Sequence, residues 1–211
     1  LMENFAKDHP GTYGVSMIEL DGKKRRAEYN GDKQFVTAST YKLLVAYSLL
    51  KRIDSGARSW DSDQACFNKM ISLSDNACAE SFLNAIGVST LTSEANAIGL
   101  KNSTFMKGGG PYTTANDQAL LLGMIATGQN FSSANQQRLL EAMKKNVYRK
   151  GIPAGVSGTV ADKVGFMNGL LHDSAIIYGS HGTYVLSIMT DGASWEAIAD
   201  LAKQLDALQA Q

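Results

Sequence analysis

Strand patterns at both ends of the chain, separated by a long helical middle, most constrain its fold. Residues 12–20 place Tyr13, Val15 and Met17 on one face, and Asp21-Gly22 is a typical hairpin turn before a return strand over 23–30. Strand patterns reappear at 159–164, 174–178 and 183–190, with a tight connection at 179–182. We therefore predict an α/β (α+β) fold: an antiparallel sheet of about five strands flanked by helices, with an all-helical subdomain inserted.

The middle of the chain has helical periodicity. Apolar residues recur at helical spacing from about Ser39 to Ile53, and several short helices are expected over 60–150, one of them over 119–125. The glycine-rich stretch 107–111 predicts a loop, and Ser194 is a candidate N-cap for a final helix. We predict a single domain over 1–211, with a sheet part (1–38 and 150–211) and a helical part (39–149).

Composition excludes several function classes. The 211 residues suit one domain, and 44% hydrophobic with 19% charged residues is typical of a folded globular protein. Twenty basic and twenty acidic residues give no net charge, so neither nucleic acid nor an anionic membrane surface is expected as a partner. No apolar run approaches the roughly 20 residues needed to cross a bilayer. The start Leu1-Met2 shows no signal peptide, and we expect a processed piece that lacks its native N-terminus.

Two cysteines, Cys66 and Cys78, allow two interpretations. Their spacing of 12 residues would close a small disulfide loop, which suits an exported protein. They would equally fit as two buried thiols in neighbouring helices. Neither has a CxxC partner or a nearby histidine, so no metal site is expected.

A serine followed three residues later by a lysine starts the predicted first helix, as Ser39-Thr40-Tyr41-Lys42. A serine hydroxyl needs an adjacent base, and Lys42 would lie on the same helix face, close enough for a hydrogen bond. Lys42 must be neutral to act as that base, so its pKa has to be lowered by burial or by neighbouring cations. The same spacing recurs at Ser48 and Lys51, but mid-helix, where we interpret it as structural.

Two further motifs follow in order. Ser74-Asp75-Asn76 fits a helix N-cap, but also a proton relay (Ser74) next to an amide that holds a substrate carbonyl (Asn76). Lys163-Val164-Gly165 ends a predicted strand, where an exposed lysine would also be unremarkable. The functional interpretation rests on all three motifs occurring in order, each on a suitable element.

Together these motifs resemble those of class A β-lactamases and related penicillin-binding serine hydrolases, and the resemblance extends over nearly the whole chain. It implies Ser39 as nucleophile, Lys42 as base, Ser74 as proton relay, and Asn76, Lys163 and Gly165 as substrate contacts. It also implies an oxyanion hole formed by the backbone N–H groups of Ser39 and Phe166. No cofactor or metal is expected.

Two departures from the family pattern bear on the activity. Residues 101–116 contain no Glu or Asp, although class A β-lactamases carry there the Glu that activates the deacylating water. Asp117 is the nearest acid, in the first turn of the next predicted helix. Val164 replaces the family's Thr or Ser, a hydroxyl that binds a substrate carboxylate.

Three functions follow from this pattern. The favoured one is an extracytoplasmic serine acyl-enzyme, a monomer, acylated by β-lactams or D-alanyl peptides and slow to deacylate. The alternatives are a divergent β-lactamase whose deacylating group is not identified, and a non-catalytic penicillin-binding sensor or pseudoenzyme. A Ser-His-Asp hydrolase is disfavoured because His9, His172 and His181 adjoin no G-x-S-x-G motif.

Overall fold

The computed structural model describes residues 1–210, and its elements follow the predicted order. The strands are β1 (Thr12–Glu19), β2 (Arg26–Tyr29), β3 (Phe35–Val36), β4 (Tyr112–Thr113), β5 (Thr159–Met167), β6 (Leu170–Gly179) and β7 (Gly182–Asp191). The α-helices are α1 (Met2–Asp8), α2 (Lys42–Asp54), α3 (Trp60–Ser72), α4 (Asn76–Ile86), α5 (Val88–Ala97), α6 (Ala115–Thr127), α7 (Ser133–Lys144), α8 (Ile152–Gly155) and α9 (Trp195–Ala207). Short 3-10 helices cover Ala38–Tyr41 and Leu208–Ala210.

The strands from both ends of the chain form one antiparallel sheet, as predicted. Its order is β2-β1-β7-β6-β5, so the N-terminal hairpin pairs with the last strand and β5 is an edge. A separate two-stranded pairing joins β3 to β4, with Val36 opposite Tyr112. This second pairing ties the segment before Ser39 to the loop that precedes α6.

Apolar residues pack on both faces of the sheet. One core joins the helical middle to the sheet through Ala161, Ile176 and Val185. The other packs α1 and α9 against the opposite face, through residues such as Phe5, Ile198 and Leu201. Alternate residues of β5, β6 and β7 therefore belong to different cores, which is why these strands are buried on both sides.

Three local features differ from the sequence expectations. Helix α1 was not predicted; its seven residues bury only Phe5. The return strand is shorter than 23–30 because Gly22 and Lys24 both adopt positive φ values, which extends the turn. The helix expected from Ser39 begins as a 3-10 turn and becomes α-helical at Lys42. Ser194 caps α9 as predicted, accepting a hydrogen bond from Ala197 N at 3.0 Å.

None of the described helices is both long and apolar enough to cross a bilayer.

Candidate active site

Ser39 lies in the 3-10 turn between β3 and α2. The residue before it, Ala38, has φ +46°, a left-handed conformation that is rare for a residue with a side chain. The turn is held by Thr37, whose carbonyl accepts hydrogen bonds from Thr40 N (3.0 Å) and Thr40 Oγ1 (2.8 Å). This arrangement presents a half-buried Ser39 where α2 begins.

Ser74 lies in the loop between α3 and α4, and this loop also has an unusual backbone. Ser74 has φ +58°, and Asp75 caps α4 by accepting a hydrogen bond from Cys78 N at 2.8 Å. The capping interpretation is therefore correct for Asp75, while Ser74 and Asn76 direct polar atoms towards Lys42. A disulfide between Cys66 and Cys78 joins α3 to α4 on either side of this loop, which decides between the two interpretations of the cysteines.

The ammonium group of Lys42 is buried among acceptors from this loop. Its Nζ donates to Ser74 O and Asn76 Oδ1, both at 2.7 Å, and lies 3.3 Å from Ser74 Oγ. Burial lowers the Lys42 pKa to about 8, against the opposing effect of the negative charges of Asp75 and Glu80. At pH 7 about a tenth of the molecules would then carry a neutral Lys42. The expected hydrogen bond between Lys42 and Ser39 does not occur; the partners of Nζ all belong to the loop at Ser74–Asn76.

Lys163 approaches the same hydroxyl from the sheet. Its Nζ donates to Ser74 Oγ and to Val164 O, each at 2.8 Å. Burial and, to a smaller extent, the positive charge of Lys42 lower the pKa of Lys163 to about 7, against the opposing effect of Asp162 and Asp173. Two lysines with lowered pKa values therefore converge on Ser74 Oγ.

Gly165 brings the edge of β5 against the serine turn. A Cβ atom at this position would lie 2.7 Å from Thr37 O and 2.8 Å from Ser39 N, so only glycine permits this approach. Phe166 follows on the same edge strand, with its side chain on the opposite face of the sheet from that of Lys163. The Phe166 backbone therefore lies next to the contact between Gly165 and Ser39.

Behind Lys163, the opposite face of the sheet holds two buried carboxylates. Asp162 forms an ion pair with Arg149 and accepts from Asn146 Nδ2 at 2.6 Å. Asp173 accepts from Ile152 N at 2.8 Å, and burial together with the charge of Asp162 raises the pKa of Asp173. In their ionised forms, both carboxylates favour the protonated form of Lys163.

The histidines are used elsewhere. His172 is buried in β6; its Nδ1 accepts from Thr190 N (3.1 Å), so Nε2 carries the proton and donates to Val36 O (2.8 Å). Burial lowers the pKa of His172, in keeping with a neutral ring. His9 pairs with Asp200 at 3.3 Å. Among the described residues, no histidine side chain is hydrogen-bonded to Ser39.

The loop between α5 and α6 passes the serine turn without presenting a carboxylate. Pro111 O accepts from Thr37 N at 2.9 Å, and Phe105 packs edge-to-face on Tyr41 at 6.0 Å. Asp117 lies in the first turn of α6, as predicted, and accepts from Asn102 N (2.9 Å) and Ser103 Oγ (2.7 Å). Its carboxylate anchors the loop.

One acidic residue near the site was missed in the sequence. Glu80 is exposed on α4, four residues after Asn76 and therefore on the same helix face. Burial is the main cause that raises the pKa of Tyr41, and the negative charge of Glu80 raises it further. The same charge opposes the lowering of the Lys42 pKa. The sequence signal for Glu80 is its spacing of four residues from Asn76, which places both side chains on one helix face.

This arrangement of sheet, helices and serine turn is that of the β-lactamase-like, penicillin-binding serine hydrolases. A family model described as "Beta-lactamase enzyme family" matches residues 2–65 and 62–209, so the chain belongs to this family. A search of curated proteins by sequence finds no match.

Solved structures show the same fold at low sequence identity. A β-lactamase from Sphaerobacter thermophilus is 20% identical with a TM-score of 0.88, covering 99% of this chain and 95% of that one. A class A β-lactamase of the last common ancestor of Gram-negative bacteria is 22% identical (TM-score 0.88; 98% and 97% covered). A mutant of PBP-A, solved as an acyl-enzyme complex with penicillin G, is 21% identical (TM-score 0.89; 98% and 94% covered).

Proposed function

We propose that this protein is an extracytoplasmic serine acyl-enzyme that is acylated at Ser39 and deacylates slowly. The observation that carries the proposal is the convergence of Lys42 and Lys163 on Ser74 Oγ, at 3.3 and 2.8 Å, beside the serine turn. Its substrates would be β-lactams or D-alanyl peptides of the peptidoglycan. The PBP-A complex with penicillin G, a protein of similar fold, supports a β-lactam as acyl donor.

In this mechanism each site residue has one task. Lys42, when neutral, removes the proton from Ser39 Oγ, which attacks the carbonyl carbon of the substrate. Ser74, held by Lys163, returns a proton to the leaving group, and Asn76 orients the substrate. The N–H groups of Ser39 and Phe166 stabilise the oxyanion, and Gly165 lets the substrate reach the strand edge.

Slow deacylation follows from the loop at 101–116, which has no carboxylate to activate a water. The acyl-enzyme should therefore accumulate. A D,D-peptidase-like enzyme and a sensor that keeps its adduct both fit this behaviour, and the rate at which a D-alanyl peptide is cleaved separates them.

Labelling with a fluorescent penicillin tests the nucleophile. We expect wild-type protein to be labelled and Ser39→Ala to be unlabelled. Ser48→Ala is the matched control: its hydroxyl is buried in α2 and bonded to Arg52 (2.6 Å) and Glu94, so labelling should persist. Equal labelling of wild type and Ser39→Ala would refute the proposal.

A second candidate function is a divergent β-lactamase in which Glu80 activates the deacylating water. The observation that favours it is the position of Glu80, one helical turn after Asn76 and near enough to affect the pKa values of Tyr41 and Lys42. A chromogenic cephalosporin distinguishes the two. A burst of one equivalent supports the slow enzyme, whereas turnover at about 1–10³ per second that is lost in Glu80→Gln supports the second candidate.

A further inference from the structure

An apolar cleft of about 240 Å³ lies against the edge strand β5 and has no role in the mechanism above. Its apolar lining consists of Val147, Tyr148, Val164, Phe166, Leu171 and Trp195. We call it the aromatic cleft.

The cleft begins one residue from the reaction centre. Val164 and Phe166 flank Gly165, the residue that contacts the Ser39 backbone. Both side chains lie on the face of β5 opposite Lys163, and β5 is the edge of the sheet. A substrate bound along this edge can therefore reach the cleft with a group that extends around the strand.

Three aromatic rings form an open wall. Phe166 contacts Tyr148 at 5.3 Å and Trp195 at 6.3 Å between ring centroids, both edge-to-face. The wall is exposed nevertheless: 45% of Phe166, 37% of Tyr148 and 57% of the neighbouring Val147 are accessible. The structure exposes eight large apolar residues among those it describes, and three of them lie together at this cleft. Such a concentration marks a binding surface.

The charged residues at the cleft do not make it a carboxylate site. Arg149 is engaged by Asp162 and by Val160 O (3.3 Å). Val164 has no hydroxyl group that could bind a carboxylate. Lys150 is exposed at the rim and forms no ion pair within the described chain, so it is the single cation whose contribution needs a test.

We propose that the aromatic cleft binds an uncharged aromatic group on the leaving-group side of the acyl donor, and that this group replaces a carboxylate as the recognition element. The leaving-group side is inferred because Lys163, which holds Ser74, directly precedes Val164 in β5. The inference rests on the acylation of Ser39 in the proposed function. It extends the acyl donors beyond β-lactams and D-alanyl peptides, whose leaving groups carry a carboxylate, to donors with an uncharged aromatic leaving group.

Two thioesters with the same acyl group test the proposal: one releases benzyl mercaptan, the other mercaptoacetate. In each case Ser39 Oγ bonds to the carbonyl carbon, the C–S bond breaks, and the sulfur leaves with the bonding electrons and takes a proton through Ser74. The acylation rate constant is measured from the thiol released and divided by the uncatalysed hydrolysis rate. We expect the benzyl thioester to be preferred by at least about tenfold, since apolar pockets discriminate by roughly 10–200-fold.

Variants test whether the cleft residues cause the preference for the benzyl thioester. Tyr148→Ala and Trp195→Ala should reduce the preference for the benzyl thioester several-fold, while the mercaptoacetate thioester reacts at the wild-type rate. Val88→Ala, which removes an exposed apolar side chain on α5 outside the cleft, should leave it unchanged. Lys150→Ala should leave it unchanged as well.

Three results overturn the proposal. Equal rates for the two thioesters, with a Ser39 adduct seen by mass spectrometry, refute the cleft but leave the proposed function intact. The same holds for a preference for mercaptoacetate that disappears in Lys150→Ala. If neither thioester forms a Ser39 adduct while penicillin G does, the cleft is refuted and the proposed function stands. If penicillin G forms no adduct either, both are refuted.

Discussion

The two sides of the serine turn differ in polarity. Towards Ser74, two lysines, an amide and a hydroxyl form a hydrogen-bonded group with distances of 2.7–3.3 Å. Towards the loop at 101–116, the turn residue Tyr41 packs on Phe105, and Asp117, the first acid after this loop, is held by Asn102 and Ser103. In the proposed mechanism, this family member therefore keeps the groups that form an acyl-enzyme and lacks those in the loop that would break it down.

The largest effect is expected on the polar side. Lys42→Ala removes the base and should slow acylation by penicillin by about 10²–10⁴-fold. Stopped-flow or quenched labelling measures the rate. The matched control is Lys51→Ala, the lysine of the second serine–lysine pair, which should acylate at the wild-type rate. An unchanged rate in Lys42→Ala would assign the base to another group.

The second-largest effect on the acylation rate is expected at the contact between β5 and the serine turn. In Gly165→Ala the new methyl group would lie 2.7 Å from Thr37 O and 2.8 Å from Ser39 N, so the strand or the turn must move. Displacing one oxyanion donor should slow acylation by about 10²–10³-fold. Gly108→Ala is the control, because no atom lies within 4 Å of the added Cβ. Wild-type acylation by Gly165→Ala would contradict this role.

The smallest effect concerns pH. Burial lowers the Lys42 pKa to about 8, so the neutral, basic form increases as pH rises. With the uncharged benzyl thioester, acylation should increase about tenfold from pH 6 to pH 7 and level off above pH 8. The rate is followed by chromatography and corrected for uncatalysed hydrolysis. A flat profile between pH 6 and pH 9 would exclude Lys42 as the titrating base.

Local patterns in the sequence predicted the fold well. Alternating apolar residues and the hairpin turns were sufficient to predict the sheet strands, and Ser194 predicted the start of α9. The family resemblance predicted how the strands assemble into one sheet. Helix α1 was missed because a seven-residue helix that buries one side chain has little periodicity. The cysteine pairing was undecided because a 12-residue spacing fits both a loop closure and two helices.

The site was predictable only in part. The motifs identified the residues that converge on Ser74, but not that Lys42 bonds to Ser74 and Asn76 in preference to Ser39, because that depends on how the loop orients its carbonyl groups. The aromatic cleft could not be predicted from the sequence for another reason. Its residues come from three distant segments, around Tyr148, Phe166 and Trp195, which only the folded chain brings together.

The lifetime of the acyl-enzyme tests the central claim most directly. Protein is mixed with penicillin G, excess drug is removed, and intact mass is followed over time, with Ser39→Ala as control. We predict a single adduct, absent from Ser39→Ala, that decays far more slowly than it forms. Failure of wild-type protein to form an adduct, with the drug left intact, would contradict the account. Rapid consumption of the drug without an accumulating adduct would do so as well.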